Sequence, residues 1–235
     1  MTGARPLALS VGLVLEEGMP IGELGVIVET MGGAARAAGV SIVTGDTKVV
    51  DAGSGDGVYI NTAGIGVVPA GIDYGPHRLQ PGDAILVSGP IGLHGIAVMS
   101  VRAGLEFGSA ITSDTAPLNG LVAALQEASI DVRMLRDPTR GGVAASLNEI
   151  ARSSGTGMEI VERSIPVPDD VRAACGFLGL DPLYVANEGR LVAFVPEDEA
   201  ERALDVMHSH PSGAGADRKS TRLNSSHSQQ SRMPS

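Results

Sequence analysis

The chain has 235 residues, 43% of them hydrophobic, which is enough for a sizeable core and excludes a disordered chain. A net charge of −10 speaks against nonspecific nucleic-acid binding, and no apolar run reaches the roughly 18–20 residues of a membrane span. One cysteine, Cys175, excludes an internal disulfide framework and suits a reducing, cytoplasmic compartment; within VRAACGFLGL it reads as a buried structural thiol.

Leu7 to Leu15 reads as a buried strand. Pro20 opens a helical pattern with Ile21, Leu24, Val28, Met31 and Ala35 on one face, stopped by Gly39. Val40 to Val43 is a short strand leading into a loop, Gly45 to Lys48. Val49-Val50 and Val58 to Val68 are expected to pair as a hairpin across Asp51 to Gly57. Tyr74 to Gly82 holds two prolines and two glycines, placing a domain boundary near residue 80. Strands are then expected at Ala84–Val87, Val132–Leu135, Met158–Val161 and Leu191–Val195. Helices are expected around His94–Arg102, at Pro117–Ala128, Asp169–Leu178 and Glu197–His208. Strands and helices interleave, so the class is α+β (mixed α/β) with two lobes, 1–80 and 81–216.

The last nineteen residues, Asp217 to Ser235, look like a translated adapter read-through and are expected to be non-native. They hold one acidic and four basic residues, so residues 1–216 carry 26 acidic and 13 basic groups, a net of −13. Lys48 is then the single lysine of the body, either by chance in an arginine-biased composition or because a compact ammonium is needed there.

Three loops at strand ends carry acids or glycines: Gly45 to Lys48, Asp137 to Gly142, and Asn187 to Gly189. In the second, Asp-Pro-Thr-Arg-Gly-Gly runs into an amphipathic segment with Val143, Leu147 and Ile150 on one face. Helix N-termini present unpaired N–H groups and a positive dipole end, so this loop is either a phosphate cradle or an ordinary helix cap. A magnesium-nucleotide site needs hard oxygen ligands and phosphate donors. Asp46 and Asp137 are the candidate ligands, and Thr139, Gly141 and Gly142 the candidate donors. Lys48 and Glu188 are a candidate acid–base pair, although each alone also reads as an ordinary turn or surface residue. Ser88 to Gly95 lacks the Gly-Lys-Ser/Thr ending of a Walker loop, and His77 and His94 show no metal-ligand spacing.

Four stretches, TGDTKVV (44–50), SGPIGLHG (88–95), RDPTRGGVAASLNEIA (136–151) and DPLYVANEGRLVAFV (181–195), together with ARPLALSVGLVLEEG (4–18), resemble the HypE family of hydrogenase maturation factors, the carbamoyl dehydratases. The resemblance covers roughly residues 3 to 210. It implies the two-lobed fold of the aminoimidazole ribonucleotide synthetase superfamily. It also implies ATP-dependent dehydration of a protein-borne S-carbamoyl-cysteine to a thiocyanate, supplying cyanide for the [NiFe]-hydrogenase centre. Carried over, Asp46 and Asp137 resemble Mg²⁺ ligands; Thr139, Arg140, Gly141, Gly142 and Asn187 resemble ATP contacts; and Lys48 and Glu188 resemble the groups beside the carbamoylated cysteine. The implied partners are a carbamoyltransferase, an iron-scaffold hydrogenase maturation complex and a second copy of the chain, with no nucleic acid and no membrane. The family's acidic N-terminal segment and terminal cysteine have no counterpart here. The expectation is therefore a fragment truncated at both ends, with an incomplete N-terminal lobe, impaired dimerisation and no activity by itself. Two alternatives remain: another ATP-using synthetase or kinase of the superfamily, or a non-catalytic partner-binding module in hydrogenase maturation.

Overall fold

A computed structural model describes residues 1–104, 111–218 and 224–225. They form two compact units, residues 3–72 and residues 1–2 together with residue 73 onward.

The first unit contains β1 (Arg5–Glu16), α1 (Ile21–Ala37), β2 (Ser41–Val50) and β3 (Val58–Val67). Its sheet runs β2-β1-β3, with β1 parallel to β2 and antiparallel to β3. The expected hairpin between β2 and β3 therefore does not form, because β1 lies between them. Skipping one strand means spanning about 10 Å, which the 51–57 segment does easily. Glu16, at the end of β1, holds the crossing: its carboxylate accepts N–H groups of both Gly53 and Gly57, and its own N–H donates to the Gly57 carbonyl at 2.8 Å.

Gly45 to Lys48 is also not a loop but the middle of β2. Gly45, which reads as a turn residue, sits where β1 passes closely: a Cβ there would lie 2.4 Å from the Val11 carbonyl oxygen. Within this unit Val11 and Leu15 are the buried large apolar side chains, and α1 buries none of its residues. The apolar stripe expected on α1 thus stays largely open, as do Ile42, Val43, Ile60, Ile65 and Val67 on the strands. One helix on three strands is too little material to close a core.

The second unit contains β4 (Ala84–Val87), α2 (Leu93–Ala103), α3 (Asn119–Glu127), β5 (Met134–Arg136), α4 (Gly142–Ser154) and β6 (Thr156–Gly157). It continues with α5 (Asp169–Leu178), β7 (Val192–Val195), α6 (Ala200–His208), β8 (Asp217–Arg218) and β9 (Asn224–Ser225). The main sheet is β5-β7-β4-β8, antiparallel throughout. Both of its faces are covered, which explains why β4 (AILV) and β7 (VAFV) read as continuous apolar runs. Ala84, Leu86, Ala193 and Val195 pack against Leu121 and Leu125 of α3 and Leu204 and Met207 of α6. The alternate positions Ile85, Val87, Val192 and Phe194 pack against Val143, Leu147 and Ile150 of α4. A third cluster joins Ile96 of α2 to Val171, Ala174 and Cys175 of α5 and to Val185. Cys175 is a buried structural thiol there, and burial pushes its titration up.

The units divide earlier than the Tyr74–Gly82 stretch. Residues 73–80 stay with the second unit because Gly75 donates to the Arg133 carbonyl and Arg78 bonds to Asp131 at 2.7 Å and to the Val132 carbonyl. Met158–Val161 is not a strand: Met158 and Ile160 pack as side chains against the α4-side core, and a tight turn follows at Glu162–Ser164. Of the segment expected to be non-native, Asp217–Arg218 pairs with Leu86–Val87 and Asn224–Ser225 with Thr156–Gly157, while residues 219–223 and 226–235 lie outside the described residues. Among the described residues no helix is long and apolar enough to cross a membrane.

Phe194 is fully buried at the centre of the α4-side core. Phe194→Ala is expected to cost about 3–5 kcal/mol, read as a lower midpoint in urea unfolding.

Candidate functional site

In the second unit three loops lie together at the ends of strands: residues 88–92 after β4, 137–141 after β5, and 185–189 before β7. One side chain joins them. Asn187 is fully buried, and its Oδ1 accepts the Gly92 N–H at 2.7 Å. Its Nδ2 donates to the carbonyls of Pro138 and Val185, each at 3.0 Å. The Asn187 backbone N–H also bonds to the Pro138 carbonyl. Both of its amide hydrogens are spent on backbone and no part of it meets solvent, so in this structure it positions the loops.

The glycines of these loops are places of close approach. Gly142, at φ +64°, lies against the carbonyls of Leu183 and Val185, at 2.4 and 2.7 Å from where a Cβ would be. Gly189 lies so close to Asp114 that a Cβ would overlap the Asp114 carbonyl oxygen. Gly141 caps α4 at φ +76°, and no side chain caps that helix end. The Gly142 N–H turns back to Thr139, so the N–H groups of Val143 and Ala144 open the helix without a bonded acceptor. Asp137 lies on the loop that leads into this helix, its Oδ2 accepting from the Thr139 hydroxyl at 3.3 Å. A carboxylate on the loop before an uncapped helix N-terminus suits a magnesium-bridged phosphate: helix N–H donors match phosphate oxygens and the acid matches the metal. Arg140 is exposed on the same loop.

Glu188 is partly exposed, with its backbone N–H donated to Asp114 Oδ1 at 3.2 Å. Asp114 itself is buried; its Oδ2 has no hydrogen bond and lies 3.6 Å from Arg190 Nε, which donates to the Pro90 carbonyl at 2.8 Å. Burial pulls the Arg190 guanidinium down from its usual range, and Asp114 opposes that pull. His94 faces Glu188 from the first turn of α2, with Nε2 at 4.0 Å from Oε1. It lines a cavity of about 310 Å³ with Val98, Met99, Leu180 and Tyr184. Reading the chain alone missed Asp114, Arg190 and the facing of His94. Their signal was thin: a Ser-Asp-Thr triplet, an arginine after Asn-Glu-Gly, and a histidine without a spaced partner.

Asp46 and Lys48 belong to the first unit. Register pairs Asp46 with Val11's neighbour Gly12 and Lys48 with Val14, while Gly12 faces Asn61 and Val14 faces Tyr59 on β3. Period-two alternation puts all six on one sheet face, around a cavity of about 290 Å³. Val11, Leu13 and Val43 instead line a cavity with Val28 and Met31 of α1.

Residues 1–68 match the N-terminal domain and residues 80–214 the C-terminal domain of the AIR synthase related proteins. A solved structure described as a HypE-HypF complex contains a chain 49% identical to this one, at TM-score 0.91, covering 96% of this chain and 74% of the other. This chain belongs to the HypE family. Another HypE structure, in complex with ATP, is also 49% identical with TM-score 0.91, covering 95% of this chain and 67% of that one. The carbamoyl dehydratase HypE of Azotobacter vinelandii is 57% identical over 216 residues, 92% of this chain. The chain spans 63% of the length of that relative. HypE membership agrees with the α+β, two-lobed fold expected from the sequence.

Asn187→Ala leaves the Gly92 N–H and two carbonyls without their partner. The expected cost is about 3 kcal/mol, measured by urea denaturation of the second unit's far-ultraviolet signal.

Proposed function

We propose that this chain serves ATP-dependent dehydration of a cysteine-borne S-carbamoyl group to a thiocyanate. The observation that carries the reading is the uncapped α4 N-terminus on the Asp137 loop, tied through Asn187 to the loop that holds Glu188. An anion cradle and a carboxylate of partial exposure are thereby held on one rigid frame, as phosphoryl transfer coupled to proton removal requires. Relatives named carbamoyl dehydratase and a HypE structure with ATP support the choice of reaction.

In this reading the γ-phosphoryl group passes from ATP to the carbamoyl oxygen while an N–H proton is removed. The C–O bond then breaks, the oxygen leaves within phosphate, and loss of the second N–H proton leaves S–C≡N. Val143 and Ala144 N–H groups, with Thr139 and Gly141, bind phosphate oxygens, and Gly142 makes the turn that presents them. Arg140 stands at the rim. Asp137 is the residue of the second unit that would hold Mg²⁺, which would supply charge neutralisation at the phosphates when bound; Asp46, on the first unit's sheet, keeps its metal assignment from the family resemblance alone. Glu188 accepts an N–H proton, and Lys48, on the first unit's sheet, is assigned to the carbamoyl chemistry by the family resemblance. A HypF-type carbamoyltransferase would load the cysteine, in keeping with the solved HypE-HypF complex, and an iron-bearing scaffold of the hydrogenase maturation machinery would receive the cyanide. A second copy of the chain is the proposed cover for the open apolar positions of the first unit, Ile42, Ile60, Ile65 and Val67 among them.

Asp137→Asn is expected to lower ATP-dependent phosphate release about 100-fold or more, assayed with the carbamoyltransferase partner; unchanged release would remove Asp137 from the site. Lys48→Ala is expected to abolish thiocyanate formation, followed by mass spectrometry of a supplied peptide ending in S-carbamoyl-cysteine. ATP affinity by calorimetry should stay within about threefold, since the assigned role concerns the carbamoyl group and not the phosphates.

A further inference from the structure

The segment Ser113–Thr115 grips both members of a pair that sequence spacing leaves apart. On one side Asp114 takes the Glu188 backbone N–H, and Gly189 packs against the Asp114 carbonyl. On the other, Ser113 Oγ lies 2.9 Å from His94 Nδ1. His94 follows directly on Gly92-Leu93, and the Gly92 N–H is held by Asn187. Both residues are thus fixed through their backbones before their side chains meet.

Hydrogen-bond accounting then assigns the imidazole proton. Ser113 Oγ accepts the Thr115 N–H at 3.1 Å and lies 2.7 Å from Thr115 Oγ1. A hydroxyl has one proton and two lone pairs, so two arrangements satisfy Ser113: it donates to His94 Nδ1 and accepts from Thr115 Oγ1, or the reverse. Glu188 decides between them. An ionised carboxylate only accepts, so a bare Nε2 lone pair facing Oε1 at 4.0 Å would be repelled, whereas Nε2–H is attracted. The proton belongs on Nε2, with Nδ1 accepting from Ser113. A separation of 4.0 Å becomes a hydrogen bond after a small side-chain rotation or through one water.

We propose that His94, its ring held by Ser113 and its tautomer set by Glu188, is the positioning residue of Glu188: its Nε2–H holds Oε1 and leaves Oε2 free for the substrate proton. This rests on the reading of Glu188 as a proton acceptor. The other ionisable groups lining the His94 cavity are Asp181, whose Oδ1 accepts the Leu183 N–H, and Tyr184.

The first test is the imidazole nitrogen spectrum of the whole chain above neutral pH. The expected result is a neutral His94 in the Nε2–H form, a preference lost in Glu188→Leu. An Nδ1–H ring, or a preference that Glu188→Leu leaves unchanged, overturns the proposal. The second is turnover with the carbamoyltransferase partner. His94→Ala should lower kcat about tenfold with KM for ATP within about twofold, and His94→Gln, whose amide N–H reaches the Nε2 position, should recover to within about threefold of the parent. Equal losses in the two variants overturn the hydrogen-bonding role. A full-length relative carrying these residues that shows no ATP-dependent phosphate release would instead sink the dehydratase reading, and the nitrogen spectrum of this chain still decides the placement of His94.

Discussion

A single buried carboxamide holds the second unit's site together. Asn187 meets no solvent, and it bonds to backbone groups of three loops that are distant in sequence. A buried amide left unpaired is costly, so the loops are held at the positions that satisfy it. The same loops carry the helix cap at Gly141, the Asp137 carboxylate and Glu188. Their relative placement therefore rests on the core beneath: β4 and β7 set the ends of two of the loops, and Phe194 and Ile150 pack in the layer between sheet and α4.

Close backbone approach is the second constraint. Gly142 and Gly189 each lie where any side chain would collide with a neighbouring carbonyl. Both allow one loop to lie flat upon another, and Gly142 at the same time starts α4. The glycines that mark a phosphate cradle in sequence terms thus serve packing as much as anion approach. Gly45 repeats the device in the first unit, where it lets β2 lie against Val11 within a strand.

The first unit is governed by a different balance. Its strands register well, yet few of its apolar side chains are buried. Residues Asp46 and Lys48 stand in neighbouring rows of one sheet face, with Gly12 leaving room between Asp46 and Asn61. A rigid strand places such side chains more narrowly than the loop expected from the sequence.

The apolar runs of β4 and β7, the helical periods of α3, α4 and α5, and the buried thiol of Cys175 were legible in the sequence, because burial and periodicity are local properties of residue type. The candidate residues Asp46, Lys48, Asp137, Thr139 and Glu188 were legible as chemistry, through their motifs. Three features were not. The strand order β2-β1-β3 depends on a loop crossing that Glu16 secures from 37 and 41 residues away. Asn187 reads as a site residue until its partners are seen, and those partners are backbone groups, which leave no trace in residue type. His94 and Ser113 are 19 residues apart, and Asp114 and Glu188 are 74 apart. Only the packed structure brings them to one place, because pairing across loops is decided by which backbone groups must be satisfied once the core has closed.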